Sequence, residues 1–246
     1  FVRRVRGGGR DKGVELLNAL PLIQRWGVRV EPEDIAGLDG ERAYAQAVRL
    51  LMARRATLDG KPRWGDKTPW YVFRIALLNR LFPQARFLLI YRDGRDVALS
   101  VMPLKWGPNN AYTAGRWWKR QITAWQRSTP ALGDRALDVR YETFIRKPES
   151  ELRRVCRFLG LDYADEMLAQ FTINRNNSGK WRNKFYMTPF ERQAFESAAG
   201  DTLSALGYER AVESPHWPLW LQLASLLDNG YKAVSNVVLR QGLGRG

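Results

Sequence analysis

The chain has 246 residues, 40 of them Lys or Arg and 25 Asp or Glu, for a formal net charge of +15. Hydrophobic residues make up 45% and charged residues 26%, ordinary globular usage that excludes a disordered chain, a collagen and a simple coiled coil. One cysteine, Cys156, excludes an internal disulfide framework and a cysteine-based zinc site, and one histidine, His216, excludes multi-histidine metal centres and argues against a Ser-His-Asp triad.

The chain opens on Phe1 with no apolar signal region ahead of Arg3, Arg4 and Arg6, and reads as a fragment or processed product of a cytoplasmic protein. The first thirty residues are basic and loose around Gly7-Gly8-Gly9, with a helix expected from Gly13 to Trp26. Glu41 to Leu58 is rich in helix formers and reads as a helix. Lys61 to Gly65 is a short extended segment. It leads to Thr68, which can cap a helix that has Pro69 at its first position and runs to about Phe82. Arg86 to Tyr91 is a short apolar run between breakers, expected to be a buried strand. Arg92-Asp93-Gly94 turns the chain into a helix from Asp93 to Met102.

Thr113 to Ser128 follows as a helix carrying Trp117, Trp118, Ile122 and Trp125, and Arg135 to Tyr141 suggests another buried strand. Pro148 to Leu159 is amphipathic, Phe171 to Lys184 is aperiodic and basic, and Thr188-Pro189 opens a helix ended by Gly207. A last helical stretch follows Pro218. Its apolar run, Pro218 to Leu227, is the longest in the chain and falls short of the roughly 18 residues a membrane span needs. Strands alternating with helices indicate an α/β fold with a parallel sheet, here with three strands expected. We expect a single domain over residues 1–246, with 211–246 as a C-terminal helical extension.

Three segments carry candidate chemistry. At the end of a strand, Arg92 offers a planar fork suited to phosphate oxygens, and Ser100, eight residues on, offers a hydroxyl. In the third segment, Ser178-Gly179 makes a turn that permits close approach of an anion, with Arg175, Lys180 and Arg182 as cations and Trp181 as a purine platform or a loop anchor. Lys67 follows Gly65-Asp66, where a cation can stabilise charge developing on a transferred group. Each segment alone also admits a plainer reading. Arg92 can pair with Asp93 or Asp96 while Ser100 faces the sheet, the 177–185 loop can be a solvated basic loop, and Lys67 can be a surface lysine beside a helix cap.

The ordered set resembles the sulfotransferase family. The residues that carry it are Trp64-Gly65-Asp66-Lys67-Thr68-Pro69, Leu81 to Phe87, Tyr91-Arg92-Asp93-Gly94-Arg95-Asp96 through Ser100, Tyr141 to Phe144 with Pro148, Phe158-Leu159-Gly160, and Gly179 to Asn183. The similarity runs from about Trp26 to about Glu209 and is closest to the bacterial branch related to tyrosylprotein and heparan sulfotransferases.

The resemblance implies a three-layer, P-loop-like α/β fold with a central, mostly parallel sheet flanked by helices. It implies 3′-phosphoadenosine 5′-phosphosulfate (PAPS) as sulfuryl donor, in-line transfer to an acceptor hydroxyl or amine, and no metal. By that resemblance Arg92 and Ser100 match positions that hold the 3′-phosphate. Gly179, Lys180 and Arg182 fall in the loop over the same phosphate, and Arg175 lies near its entry. Tyr141 matches a position near the adenine, and Lys67 a lysine that reaches the transferred group.

Two departures stand out. The family's opening strand and phosphosulfate loop find no match, and Gly7-Gly8-Gly9 is no substitute. The histidine that some relatives carry after the lysine is replaced by Thr68-Pro69, and Asp66 reads as orienting the strand end. A non-catalytic remnant of the same fold and a nucleotide kinase of related fold are the near alternatives. A nucleic-acid-binding module is disfavoured, because Trp117, Trp118 and Trp125 lie at the spacing of a core stripe.

Overall fold

The computed structural model describes residues 9–169 and 178–242, so the expected phosphate-site residue Arg175 lies outside the described residues. The chain divides into two compact units between Ala85 and Arg86.

In the first unit, helix α1 (Gly9–Asn18) is followed by α2 (Pro21–Trp26), where the sequence suggests one continuous helix. The break has a local cause. Leu20 precedes Pro21, whose ring excludes helical backbone from the residue before it, and Leu20 accordingly sits at φ −64°, ψ 129°. Asn18 then closes the turn by donating to the Val30 carbonyl (2.7 Å) and accepting the Val30 N–H (3.0 Å), which buries Val30 fully. After a 3-10 turn (Pro32–Ile35), α3 (Gly40–Leu58) lays Ala43, Ala47 and Leu51 against Val14, Leu17, Ile23 and Val30 to form this unit's core.

The helix expected from Pro69 to Phe82 is two pieces: a 3-10 turn (Pro69–Phe73) and α4 (Ile75–Leu81), broken at Arg74 (φ −127°, ψ 12°). The run Trp70-Tyr71-Val72-Phe73 consists of aromatic and β-branched residues that lose rotamer freedom in a helix. Thr68 stands at the N-cap position, but its side chain makes no capping bond.

The second unit starts with β1 (Phe87–Tyr91), α5 (Gly94–Val101) and α6 (Ala111–Leu132). It continues with β2 (Ala136–Arg140), α7 (Tyr141–Arg146), α8 (Pro148–Leu159) and α9 (Glu166–Ala169). A 3-10 turn (Lys180–Arg182), α10 (Pro189–Ala205) and α11 (Leu219–Gly242) complete it. β1 and β2 pair in parallel, Phe87 opposite Ala136 through Tyr91 opposite Arg140.

Among the described residues the sheet thus has two strands rather than three, and the segment Lys61 to Gly65 is exposed and outside it. Nor is β1 buried throughout, for Ile90 is 59% exposed.

α6 outruns its expected end at Ser128 and passes through Pro130. Pro130 has no N–H for the Gln126 carbonyl, and the Thr129 hydroxyl supplies the bond instead (3.1 Å). The core of this unit lies between α5, α6 and α10, around Trp118, Ile122, Phe195 and Leu203.

Candidate functional site

The parallel register determines what meets at the carboxyl end of the sheet. Tyr91 pairs with Arg140, so the next residues, Arg92 and Tyr141, emerge side by side. The Arg92 guanidinium lies 5.3 Å from the centre of the Tyr141 ring, a cation–π contact. In the first turn of α5, Asp96 is buried with its carboxylate 3.3 Å from Arg92. The same carboxylate accepts the Gly179 N–H (2.6 Å) and the Trp181 N–H (3.2 Å). Asp96 therefore ties the loop before the 3-10 turn Lys180–Arg182 to the start of α5.

The turn requires glycine. Gly179 has φ +79°, and a Cβ there would come within 2.8 Å of the Arg182 guanidinium. Burial pushes the Asp96 carboxyl above the ordinary carboxylate value, against the opposing pull of the Gly179 amide, Arg92 and the Trp181 amide.

Behind this surface a charged network fixes the turn. Asp93 caps α5 by accepting the Arg95 N–H (3.0 Å), and its own N–H donates to the buried Glu142 (2.9 Å). Glu142 also accepts the Tyr208 hydroxyl proton (2.9 Å). Arg95 is fully buried. It donates to Asp93 (2.8 Å), to Glu196 (2.7 Å) and to the Glu209 carbonyl (2.9 Å), and it stacks 3.3 Å from the centre of the Trp181 ring. Trp181 is itself buried, and Arg182 lies 4.7 Å from its ring. Of the two roles its sequence context allows, Trp181 takes the loop anchor.

The second unit brings Arg92, Tyr141 and Gly179 together around Asp96, and Lys180 and Arg182 lie on the turn that Gly179 opens. Ser100 stands one turn beyond Asp96 on α5, exposed, with its hydroxyl donating to the Asp96 carbonyl (2.9 Å). Arg182 is exposed and pairs with Glu209 (2.7 Å), and Lys180 lies 5.9 Å from the Tyr186 ring. Lys67 belongs to the first unit and is exposed. Its neighbour Asp66 accepts the Tyr71 hydroxyl proton.

A family model described as "Sulfotransferase family" matches residues 10–165. The chain belongs to the sulfotransferase family. A putative protein-tyrosine sulfotransferase of Caenorhabditis briggsae is 29% identical over 158 residues, 61% of this chain and 56% of that protein. Protein-tyrosine sulfotransferase A of Caenorhabditis elegans is 29% identical over 142 residues, 54% of this chain and 37% of that protein. The match thus spans about half or less of each relative's length. A solved sulfotransferase domain from the curacin biosynthetic pathway superposes with a TM-score of 0.50 at 19% identity, covering 71% of this chain and 76% of that one. That likeness bears on the fold, an α/β sulfotransferase fold with a small parallel sheet here.

The sulfotransferase match contains Lys67, Arg92, Ser100 and Tyr141 and ends before the 178–182 turn. Sequence reasoning missed Asp96 as the clamp on that turn and the buried set Asp93, Arg95, Glu142 and Glu196. A signal for Glu196 was present: it stands among Ala194, Phe195 and Ala199 on an otherwise apolar stripe, where an acid needs a buried cation.

Proposed function

We propose that this sulfotransferase-family chain moves a sulfuryl group from PAPS to an acceptor hydroxyl or amine by in-line displacement. The observation that carries the proposal is Arg92, held at the carboxyl end of two parallel strands, where α/β folds bind their ligands, by the same Asp96 that ties down the turn carrying Lys180 and Arg182. The donor set fits a phosphate. Arg92 presents a planar fork held in place by Tyr141 and Asp96. Lys180 and Arg182 add two cations on a turn anchored by Trp181. Ser100 offers a hydroxyl on the neighbouring helix turn, although its proton now goes to the Asp96 carbonyl.

When bound, PAPS supplies an activated sulfuryl group and a 3′-phosphate handle. Arg92, Ser100, Lys180 and Arg182 would grip the handle, and Tyr141 would offer its ring to the adenine. The Gly179 amide does not join this grip directly, because Asp96 holds it; its part is to set the loop. Lys67 would stabilise negative charge on the oxygen that leaves with the nucleotide, a purely electrostatic role of the kind that dominates phosphoryl-type transfers. Two relatives carry the name protein-tyrosine sulfotransferase, which makes a peptide phenol the first acceptor to assay.

Calorimetric titration with adenosine 3′,5′-bisphosphate tests the nucleotide site. Saturable binding by the parent chain and its loss in Arg92→Ala are expected. Equal binding by both would overturn the assignment.

A further inference from the structure

Helix α11 is turned the opposite way from an ordinary surface helix. Its polar stripe meets the body. Gln222 accepts the Tyr112 hydroxyl proton (2.9 Å) and donates to the Trp217 carbonyl (2.8 Å). The Ser225 carbonyl accepts from Asn110 (2.9 Å), Asp228 accepts from Asn109 (2.6 Å) and Asn110 (2.9 Å), and the Asn229 side chain accepts the Asn109 N–H (2.9 Å). The opposite stripe is apolar and faces outward: Leu219 is 68% exposed, Trp220 67%, Leu223 54%, Leu226 39% and Leu227 76%. These positions follow the i, i+1, i+4, i+7, i+8 pattern of a helix's buried face.

The loop that runs into Asn109 and Asn110 carries two further exposed apolar residues, Leu104 (38% exposed) and Trp106 (60%), with exposed Lys105 between them. Isolated exposed leucines are normal, whereas a continuous helical stripe of them marks a surface that is covered by something.

Width, composition and charge together select the cover. A coiled-coil seam with a second copy would be narrow and flanked by charged residues that fix the partner. Here the stripe is broad, and its residues from Leu219 to Leu227 include no charge. An exposed indole, Trp220, stands at its start, as in helices that lie at the level of lipid headgroups, and Trp106 is exposed on the loop before Asn109. The chain carries a net charge of +15, complementary to an anionic surface. No helix among the described residues is long and apolar enough to cross a membrane, so this one would lie along the surface. We infer that the outward face of α11, together with the Leu104–Trp106 loop, seats the protein on an anionic phospholipid bilayer.

Co-sedimentation of the whole chain with vesicles tests this. One vesicle set contains phosphatidylcholine mixed with phosphatidylglycerol, and the other contains phosphatidylcholine alone. The expected result is binding to the anionic set, reduced about tenfold or more by the double variant Leu223→Glu, Leu227→Glu. Both positions point outward, so far-UV circular dichroism and the melting temperature should match the parent. Failure of the parent to sediment with anionic vesicles would overturn the inference. So would undiminished binding by the double variant, which would assign the attraction to net charge alone. Light scattering that shows a dimer which the double variant dissolves, with no vesicle binding, would assign the face to a second copy and overturn it as well.

Discussion

Arg92 and two backbone amides converge on the Asp96 carboxyl, all from places far apart in sequence or separated by a helix turn. Its effect on stability depends on pH in a defined direction. The folded-state value is raised above the ordinary one, so the native chain binds the proton more tightly than the unfolded chain does. The group's contribution is therefore fully present below its unfolded value and is lost as pH rises through its folded value. The stability difference between parent and Asp96→Asn should accordingly shrink as pH rises above the ordinary carboxylate value of about 4, as read by urea denaturation at each pH. A difference that grows over this range would mean that Arg92 and the two amides outweigh desolvation. The amide side chain also presents an N–H₂ where an N–H must be received, so hydrogen exchange at Gly179 and Trp181 should speed up in the variant. The string Arg92-Asp93-Gly94-Arg95-Asp96 showed charges at a strand-to-helix turn, but not which acid serves which cation. Asp93 turned to Arg95, and Asp96 to the distant 178–182 turn. That division is set by tertiary packing, through Glu196 and Trp181.

At the scale of elements, α5 can occupy its place because Gly94 has no side chain. A Cβ there would lie 2.4 Å from the Trp118 ring and 2.7 Å from Phe195. Neither ring has room to yield, as both are buried in the core. Gly94→Ala should therefore destabilise the fold by about 1–3 kcal/mol and shift the urea midpoint at unchanged slope. A change within about 0.5 kcal/mol would show that α5 is free to slide. Two helices were legible in sequence: Pro148–Leu159 falls where its amphipathic spacing placed it, and Pro189–Ala205 where the Thr188-Pro189 start and Gly207 bounded it. The boundaries that failed did so for local reasons. Pro21 split one expected helix, and the run Trp70 to Phe73 adopted 3-10 geometry. Neither apolar periodicity nor a candidate cap at Thr68 reports on the steric strain that ends a helix. The expected third strand failed for a different reason, since extended backbone becomes a strand only when a neighbour takes its hydrogen bonds, and pairing is not written in a five-residue segment.

For the whole molecule, a net charge of +15 raises the concentration of any anion at the surface but does not by itself distinguish a site from its surroundings. Ionic strength separates the two. Exposed charges are largely screened beyond a Debye length of about 8 Å at physiological salt, while partly buried ones are screened less. Arg92 is only 18% exposed and is held by Asp96, whereas Arg182 is 56% exposed and shares its charge with Glu209. A phosphate would thus meet a poorly screened cation at Arg92 and an exposed, screened one at Arg182. Titrations with adenosine 3′,5′-bisphosphate at about 0.05 M and about 0.5 M NaCl should show this division. Arg182→Ala should weaken binding several-fold at low salt and little at high salt. Arg92→Ala should lose binding at both. If Arg182→Ala lost as much at high salt as at low, Arg182 would have to leave Glu209 and close on the ligand in a desolvated contact, which would make the 178–182 turn a moving part of the site.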